Sequence, residues 1–310
     1  MAFTANDVKN LREATGVGMM DCKKALTETD GDMDKAIVYL REKGLAAAQK
    51  KAGRVTAEGV AYAAVFDGVG VVVEVNSETD FVAKNDMFTD FVKNVANAVA
   101  KEAPTDVDAL MTLEYPGSDK TIAEQQQDMI LVIGENITVR RFIRYSDGLS
   151  VPYVHAGGKI GVIVNMLTDG ISDIDAVIEL GKDIAMQVAA LKPLYLDSSA
   201  VSAGELEAEK EIQLAKALEE NKAKNIPEEK SRQIAENIVK GRISKYYEEF
   251  CLLNQPFVKE NKTTVEKHIQ EVAVSLGGQI KVNAFTRFEK GEGIEKRQDD
   301  FAAEVASLVK

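Results

Sequence analysis

The stretch Val60-Ala61-Tyr62-Ala63-Ala64-Val65-Phe66-Asp67-Gly68-Val69-Gly70-Val71-Val72-Val73-Glu74-Val75 reads as two β-rich runs around an Asp-Gly pair. That is the strongest short-range signal for a β-hairpin, because the pair accepts the left-handed backbone that a tight hairpin turn needs. Thr79-Asp80-Phe81-Val82 follows, then apolar residues at helical spacing over about 88–103, closed by Pro104, and a strand over 137–145. The same order recurs: runs at 149–155 and 160–165 flank Gly157-Gly158, a helix over 175–191 is closed by Pro193, and a strand covers 279–288. The two late strands align as Ile137-Thr138-Val139-Arg140-Arg141-Phe142 beside Ile280-Lys281-Val282-Asn283-Ala284-Phe285. We read an internal duplication of one α+β unit with small antiparallel sheets.

From its closing proline to the isoleucine of its late strand the first copy advances 33 positions, Pro104 to Ile137, and the second 87, Pro193 to Ile280. The excess of 54 is enough for a helical hairpin. Ser202-Ala203-Gly204-Glu205 is a capping box, and Leu206, Leu214 and Leu218 continue the helix it opens. Pro227-Glu228-Glu229 starts a second helix, with Ile234 and Ile238 in one row and Ala235, Val239 and Ile243 in another. Such a pair suits contact with a partner or packing on its own subdomain. Both readings stand on sequence alone.

Ahead of the hairpin, 6–45 reads as three short helices. Val8, Leu11 and Ala14 form a stripe that stops at Thr15-Gly16-Val17-Gly18; Cys22, Ala25 and Leu26 form a second; Met33, Ala36, Ile37 and Leu40 a third. Arg41 to Arg54, rich in alanine and basic residues, follows as a helical or semi-flexible linker. The expected division is 1–54 for these helices and linker, 55–148 for the first copy, 149–196 with 245–288 for the second, 197–244 for the inserted hairpin and 289–310 for a C-terminal module.

The chain has 310 residues, 38 of them Lys or Arg and 50 Asp or Glu, for a net charge of −12. An acidic balance argues against direct nucleic-acid binding, which needs clustered bases. With no long apolar run and no leader anatomy at the start, the expectation is a cytoplasmic protein without membrane contact. Cys22 and Cys251 are far apart, and His155 and His268 lack partners at metal-ligand spacing, so no metal, no cofactor and no enzyme activity are expected. Gly157-Gly158-Lys159-Ile160-Gly161 fails as a P-loop, because no Ser or Thr follows the lysine. Gly68-Val69-Gly70 runs on into a strand where a dinucleotide fingerprint requires a helix.

Two places resist a bland account. Met19-Met20 follows a glycine turn, where adaptable thioethers suit a partner surface, or one of the pair fills a small core. At Thr79-Asp80-Phe81-Val82 an acid and an aromatic meet where a strand ends. Composition favours a capped helix start with Phe81 tucked beside Phe88 and Phe91.

At these residues the sequence resembles the elongation factor Ts family, guanine-nucleotide exchange factors for elongation factor Tu. The blocks that carry the resemblance are Val8-Lys9-Asn10-Leu11-Arg12-Glu13, Thr15-Gly16-Val17-Gly18-Met19-Met20-Asp21-Cys22-Lys23-Lys24-Ala25-Leu26 and Thr79-Asp80-Phe81-Val82-Ala83-Lys84. Ile133-Gly134-Glu135-Asn136-Ile137, Gln255-Pro256-Phe257-Val258, Gly291-Glu292-Gly293-Ile294-Glu295-Lys296 and Asp300-Phe301-Ala302-Ala303-Glu304-Val305 follow in order. The resemblance implies a ubiquitin-associated-like (UBA-like) N-terminal domain, a two-part α+β core, a protruding helical hairpin and a C-terminal helix. It implies that Arg12, Met19 and Met20 dock on the GTPase's nucleotide domain, with Lys23 a further partner-binding residue. Thr79, Asp80, Phe81 and Val82 would form the tip that dislocates its Mg²⁺, supported by Ile133, Gly134 and His155, with Phe301 bracing from the C-terminal helix. The implied partner is elongation factor Tu, GDP-bound and nucleotide-free, with a homodimer inside a heterotetramer as a possible assembly. On this basis Phe81 is exposed in the free protein, against the composition-based preference.

Overall fold

The computed structural model describes residues 3–295; the implied C-terminal helix around Phe301 lies outside them. The chain divides into two compact units. Among the described residues, one takes in 3–144, Val154–Gly161 and 288–295; the other is Tyr145–Tyr153 with Val162–Arg287.

In the first unit, α1 (Ala5–Thr15) opens on a capping box, Thr4 and Asp7 each satisfying the other's backbone N–H. It stops at Gly16, whose φ of 70° is the left-handed cap glycine provides at little cost. Helices α2 (Met19–Glu28) and α3 (Met33–Lys51) complete a bundle whose core holds Val8, Leu11, Val17, Cys22, Leu26 and Leu40. Ala14, expected on the inner stripe, is exposed. The basic stretch continues as helix to Lys51.

Strands β1 (Glu58–Phe66) and β2 (Val69–Ser77) pair antiparallel about Asp67 and Gly68, both at positive φ. After β2 come α4 (Asp80–Ala83) and α5 (Asp86–Glu102). Phe88, Phe91, Val95 and Val99 of α5 pack on Val71, Val73 and Val75 of β2. Two helices without a counterpart in the sequence reading follow, α6 (Val107–Met111) and α7 (Ile122–Ile133), then β3 (Ile137–Tyr145), which completes a sheet of order β1-β2-β3.

The second sheet has the order β4-β5-β8, from β4 (Leu149–His155), β5 (Ile160–Asp169) and β8 (Gln279–Glu289). Helix α8 (Ile174–Leu191) lies close on this sheet, since a Cβ at Gly181 would fall within 2.6 Å of Val151 and 2.7 Å of Met166. Each sheet thus places the second strand of a hairpin at its centre and the late strand on its far edge, as the duplication predicts. Between α8 and β8 stand the paired helices α9 (Ala203–Ala223) and α10 (Glu228–Phe250). Helix α10 runs past 244 to Phe250. Their seam holds Ala217, Ala235 and Asn221, whose amide donates to the Ser231 carbonyl at 2.8 Å. A two-stranded sheet, β6 (Pro256–Phe257) with β7 (Glu260–Thr264), and α11 (Val265–Ser275) fill the remainder. The fold is α+β with small sheets and an N-terminal helical region.

Candidate functional site

A four-residue helix is too short to hold itself, so α4 depends on outside ties. Thr79 supplies the first: its backbone is extended and its hydroxyl accepts from Val82 N at 3.4 Å, capping the turn. The second comes from the loop after α7. Glu135 accepts from Thr79 N at 2.9 Å and from the Thr79 hydroxyl at 2.7 Å. The favour is returned one residue on, where Asn136 N donates to Glu78 at 2.6 Å. Carboxylate acceptors make such bonds roughly twice as strong as neutral ones. The Asn136 amide also reaches the Arg54 carbonyl at 3.1 Å, tying in the end of the basic stretch. The turn is therefore held by the loop after α7, which is itself tied to the end of the basic stretch.

What the clamped turn presents follows from helical geometry. Successive residues rotate by about 100°, so when Val82 and Ala83 point into the core, Phe81 points away. Phe81 is 80% exposed, whereas Phe88 and Phe91 are buried. The composition-based reading that tucked Phe81 beside them fails because that space is filled. Leu110, Ile122 and the β2 valines occupy it, and Phe91 stacks on Tyr115 at 5.8 Å. Asp80 pairs with Lys84 at 2.8 Å, and that bond holds its carboxyl below the ordinary aspartate value.

A second exposed surface lies at the α1–α2 junction. Val17 is the residue that enters the small core, and the Cys22 thiol donates to its carbonyl at 3.4 Å. Burial pushes that thiol's pKa up. With the inward place taken, Met19 and Met20 stand 52% and 74% exposed. Neither methionine fills the core, which removes that alternative. Arg12 and Lys23 are exposed on the same two helices.

Helix α7 links both surfaces. Leu131 and Val132 pack against the N-terminal core, while Met129, Ile130 and Ile133 pack in the core under the first sheet. Arg41 of α3 meets Glu124 of α7 at 3.3 Å, and Lys51 donates to the Ile130 carbonyl at 3.3 Å. The helix stops at exposed Gly134, with φ 86°, and the next residue is the clamp's Glu135. His155 is exposed at the end of β4, before a 3₁₀ turn at Ala156–Gly158 that packs on β1, where a Cβ at Gly158 would lie 2.7 Å from Val60. Phe301 lies outside the described residues.

Sequence reasoning passed over Glu78, Glu135 and Asn136 as site residues. The available signal was a glycine helix stop followed directly by an acid and an amide. Among the described residues no group of three or more His, Cys, Asp or Glu side chains is placed to hold a metal ion. No helix among them is long and apolar enough to cross a membrane.

Comparison with known proteins gives a consistent picture. The family described as Elongation factor TS matches residues 78–292. Elongation factor Ts of Syntrophotalea carbinolica is 47% identical over 312 residues, covering 100% of both chains. That of Trichlorobacter lovleyi is 48% identical over 314 residues, covering 99% of this chain and 98% of its own. A Clostridium perfringens elongation factor Ts is 47% identical over 310 residues, covering 99% of each.

Proposed function

The chain belongs to the elongation factor Ts family, and we propose that it acts in translation elongation by binding elongation factor Tu·GDP and hastening GDP release, without chemistry of its own. The observation that carries this reading is Phe81: a large apolar ring, 80% exposed, on a turn held by reciprocal bonds to the loop after α7. An exposed ring on a mobile loop is a liability, but one on a fixed turn is preorganised to enter a partner.

In this reading Phe81 inserts between helices of the GTPase and Asp80 goes with it, displacing the ligands of the bound Mg²⁺. That ion demands near-ideal octahedral geometry, so a small displacement weakens its hold on GDP. A thousandfold faster release must lower the barrier by about 4 kcal/mol. Burying one phenylalanine supplies only about 1.5–3 kcal/mol. Docking elsewhere must supply the rest, and Arg12, Met19, Met20 and Lys23 are the residues proposed for it, with Ile133, Gly134 and His155 supporting the tip's contact and Phe301 on a further one. Coupling between two ligands is reciprocal, so incoming nucleotide expels the factor as strongly as the factor weakens nucleotide. The test is release of fluorescent GDP from elongation factor Tu. Saturating protein should accelerate it by orders of magnitude, and no acceleration rejects the proposal.

A further inference from the structure

Glu74 lies at the centre of the first sheet with its side chain wholly out of solvent. Its Oε1 accepts from Arg140 Nη1 at 2.9 Å, Gly291 N at 2.8 Å and Asn76 Nδ2 at 3.2 Å, and its Oε2 accepts from Arg141 Nε at 2.6 Å. Both arginines reach on to the chain just past β8: Arg140 donates to the Glu292 carbonyl at 2.6 Å and Arg141 to the Glu292 carboxylate at 3.1 Å. Gly291 fits there only as glycine. Its φ is +69°, and a Cβ would lie 2.1 Å from the Ala57 carbonyl oxygen.

The duplication supplies an internal control. Gly70-Val71-Val72-Val73-Glu74 aligns with Gly161-Val162-Ile163-Val164-Asn165, and Arg140 aligns with Asn283. In the second copy Asn283 Nδ2 donates to Asn165 Oδ1 at 3.0 Å, making the bond that Arg140 makes to Glu74. A neutral amide pair is therefore enough to join central and late strands at this position. The charge in the first copy has a further task, and its remaining partners identify it.

We propose that Glu74 is a positioning residue that fixes where the chain leaves β8, at Gly291–Glu292, on the strand that ends in the Asp80-Phe81 turn. A buried acid facing two arginines holds the exit against thermal motion in a way the amide pair does not. Gly291 and Glu292 are thereby held to the strand that leads into the tip.

Hydrogen exchange on the full chain tests this directly. In Glu74→Gln the segment 288–292 should lose protection about tenfold, the loss of one charged hydrogen bond, while α5 keeps the wild-type pattern. Glu74→Asp keeps the charge but shortens its reach, so it should loosen the same segment, and it decides the matter if Glu74→Gln does not fold. Unchanged protection at 288–292 in either folded variant, or equal loosening there in Asn165→Ala, overturns the proposal. A functional readout rests on the exchange-factor reading: Glu74→Gln should raise the concentration giving half-maximal GDP release severalfold and leave the plateau rate alone. A lowered plateau with unchanged half-maximal concentration also overturns it. Should the wild type fail to release GDP, the exchange-factor reading falls, and the hydrogen-exchange result still decides the role of Glu74.

Discussion

The two copies of the α+β unit share a strand order and differ at the end and the middle of the central strand. In the first copy the strand ends in Ser77-Glu78-Thr79-Asp80-Phe81, clamped by Glu135 and Asn136, with the ring outside. In the second it ends in Asp169-Gly170-Ile171, and Ile171 lies against Gly278, where an added Cβ would come within 2.5 Å of its side chain. In mid-strand the first copy buries Glu74 among arginines, whereas the second buries Asn165, which donates to the Asp147 carbonyl at 2.6 Å and the Ser150 hydroxyl at 3.1 Å. One scaffold thus closes up neutrally in one place, and in the other keeps charge and exposed apolar surface that folding alone does not require.

Truncating the two central residues should separate the copies most widely. Glu74→Ala leaves two arginines without their shared partner and should cost about 3–5 kcal/mol of stability. Asn165→Ala removes neutral bonds and should cost about 1–3 kcal/mol. Denaturant unfolding of both variants checks this, and equal costs would erase the distinction between a charged clasp and an amide pair. Glu135→Ala comes next, at about 0.5–1.5 kcal/mol, since Thr79 is only half-buried and water replaces part of the loss. Its signature is local: faster amide exchange at Thr79–Val82 with α8 unaffected.

The smallest effect is that of pH on the tip. The Lys84 bond lowers the Asp80 pKa, so this pair contributes its full stabilisation above the ordinary aspartate value and loses it as pH falls through the lower folded-state value. An acid NMR titration should therefore show Asp80 titrating below the unperturbed aspartate value of about 3.9. In Lys84→Ala its midpoint should move back up. An unmoved midpoint would detach Asp80 from Lys84.

Much of this was legible in the sequence. The Asp67-Gly68 turn, the valine runs, the proline stops and the Ser202 capping box each encode local geometry, and both hairpins, both packing helices and the α9–α10 pair formed where the pattern placed them. Helix α7 was illegible for a physical reason. It lies between two cores, so its apolar residues bunch as Met129-Ile130-Leu131-Val132-Ile133 and show no single stripe. Strand β7 is exposed at all but Thr263 and carries no alternation to read. The exposure of Phe81 came from the family resemblance. Burial patterning alone points the other way, because it sees an aromatic near a core and cannot see that the space is already filled.

In the proposed function Phe81 acts in the transition state of nucleotide release more than in binding. Phe81→Ala should lower the plateau rate of fluorescent-GDP release from elongation factor Tu by about 10- to 100-fold, the value of one buried phenylalanine, and weaken binding of the factor by much less. Equal losses in rate and affinity, or a plateau rate that stays at the wild-type value, would contradict it.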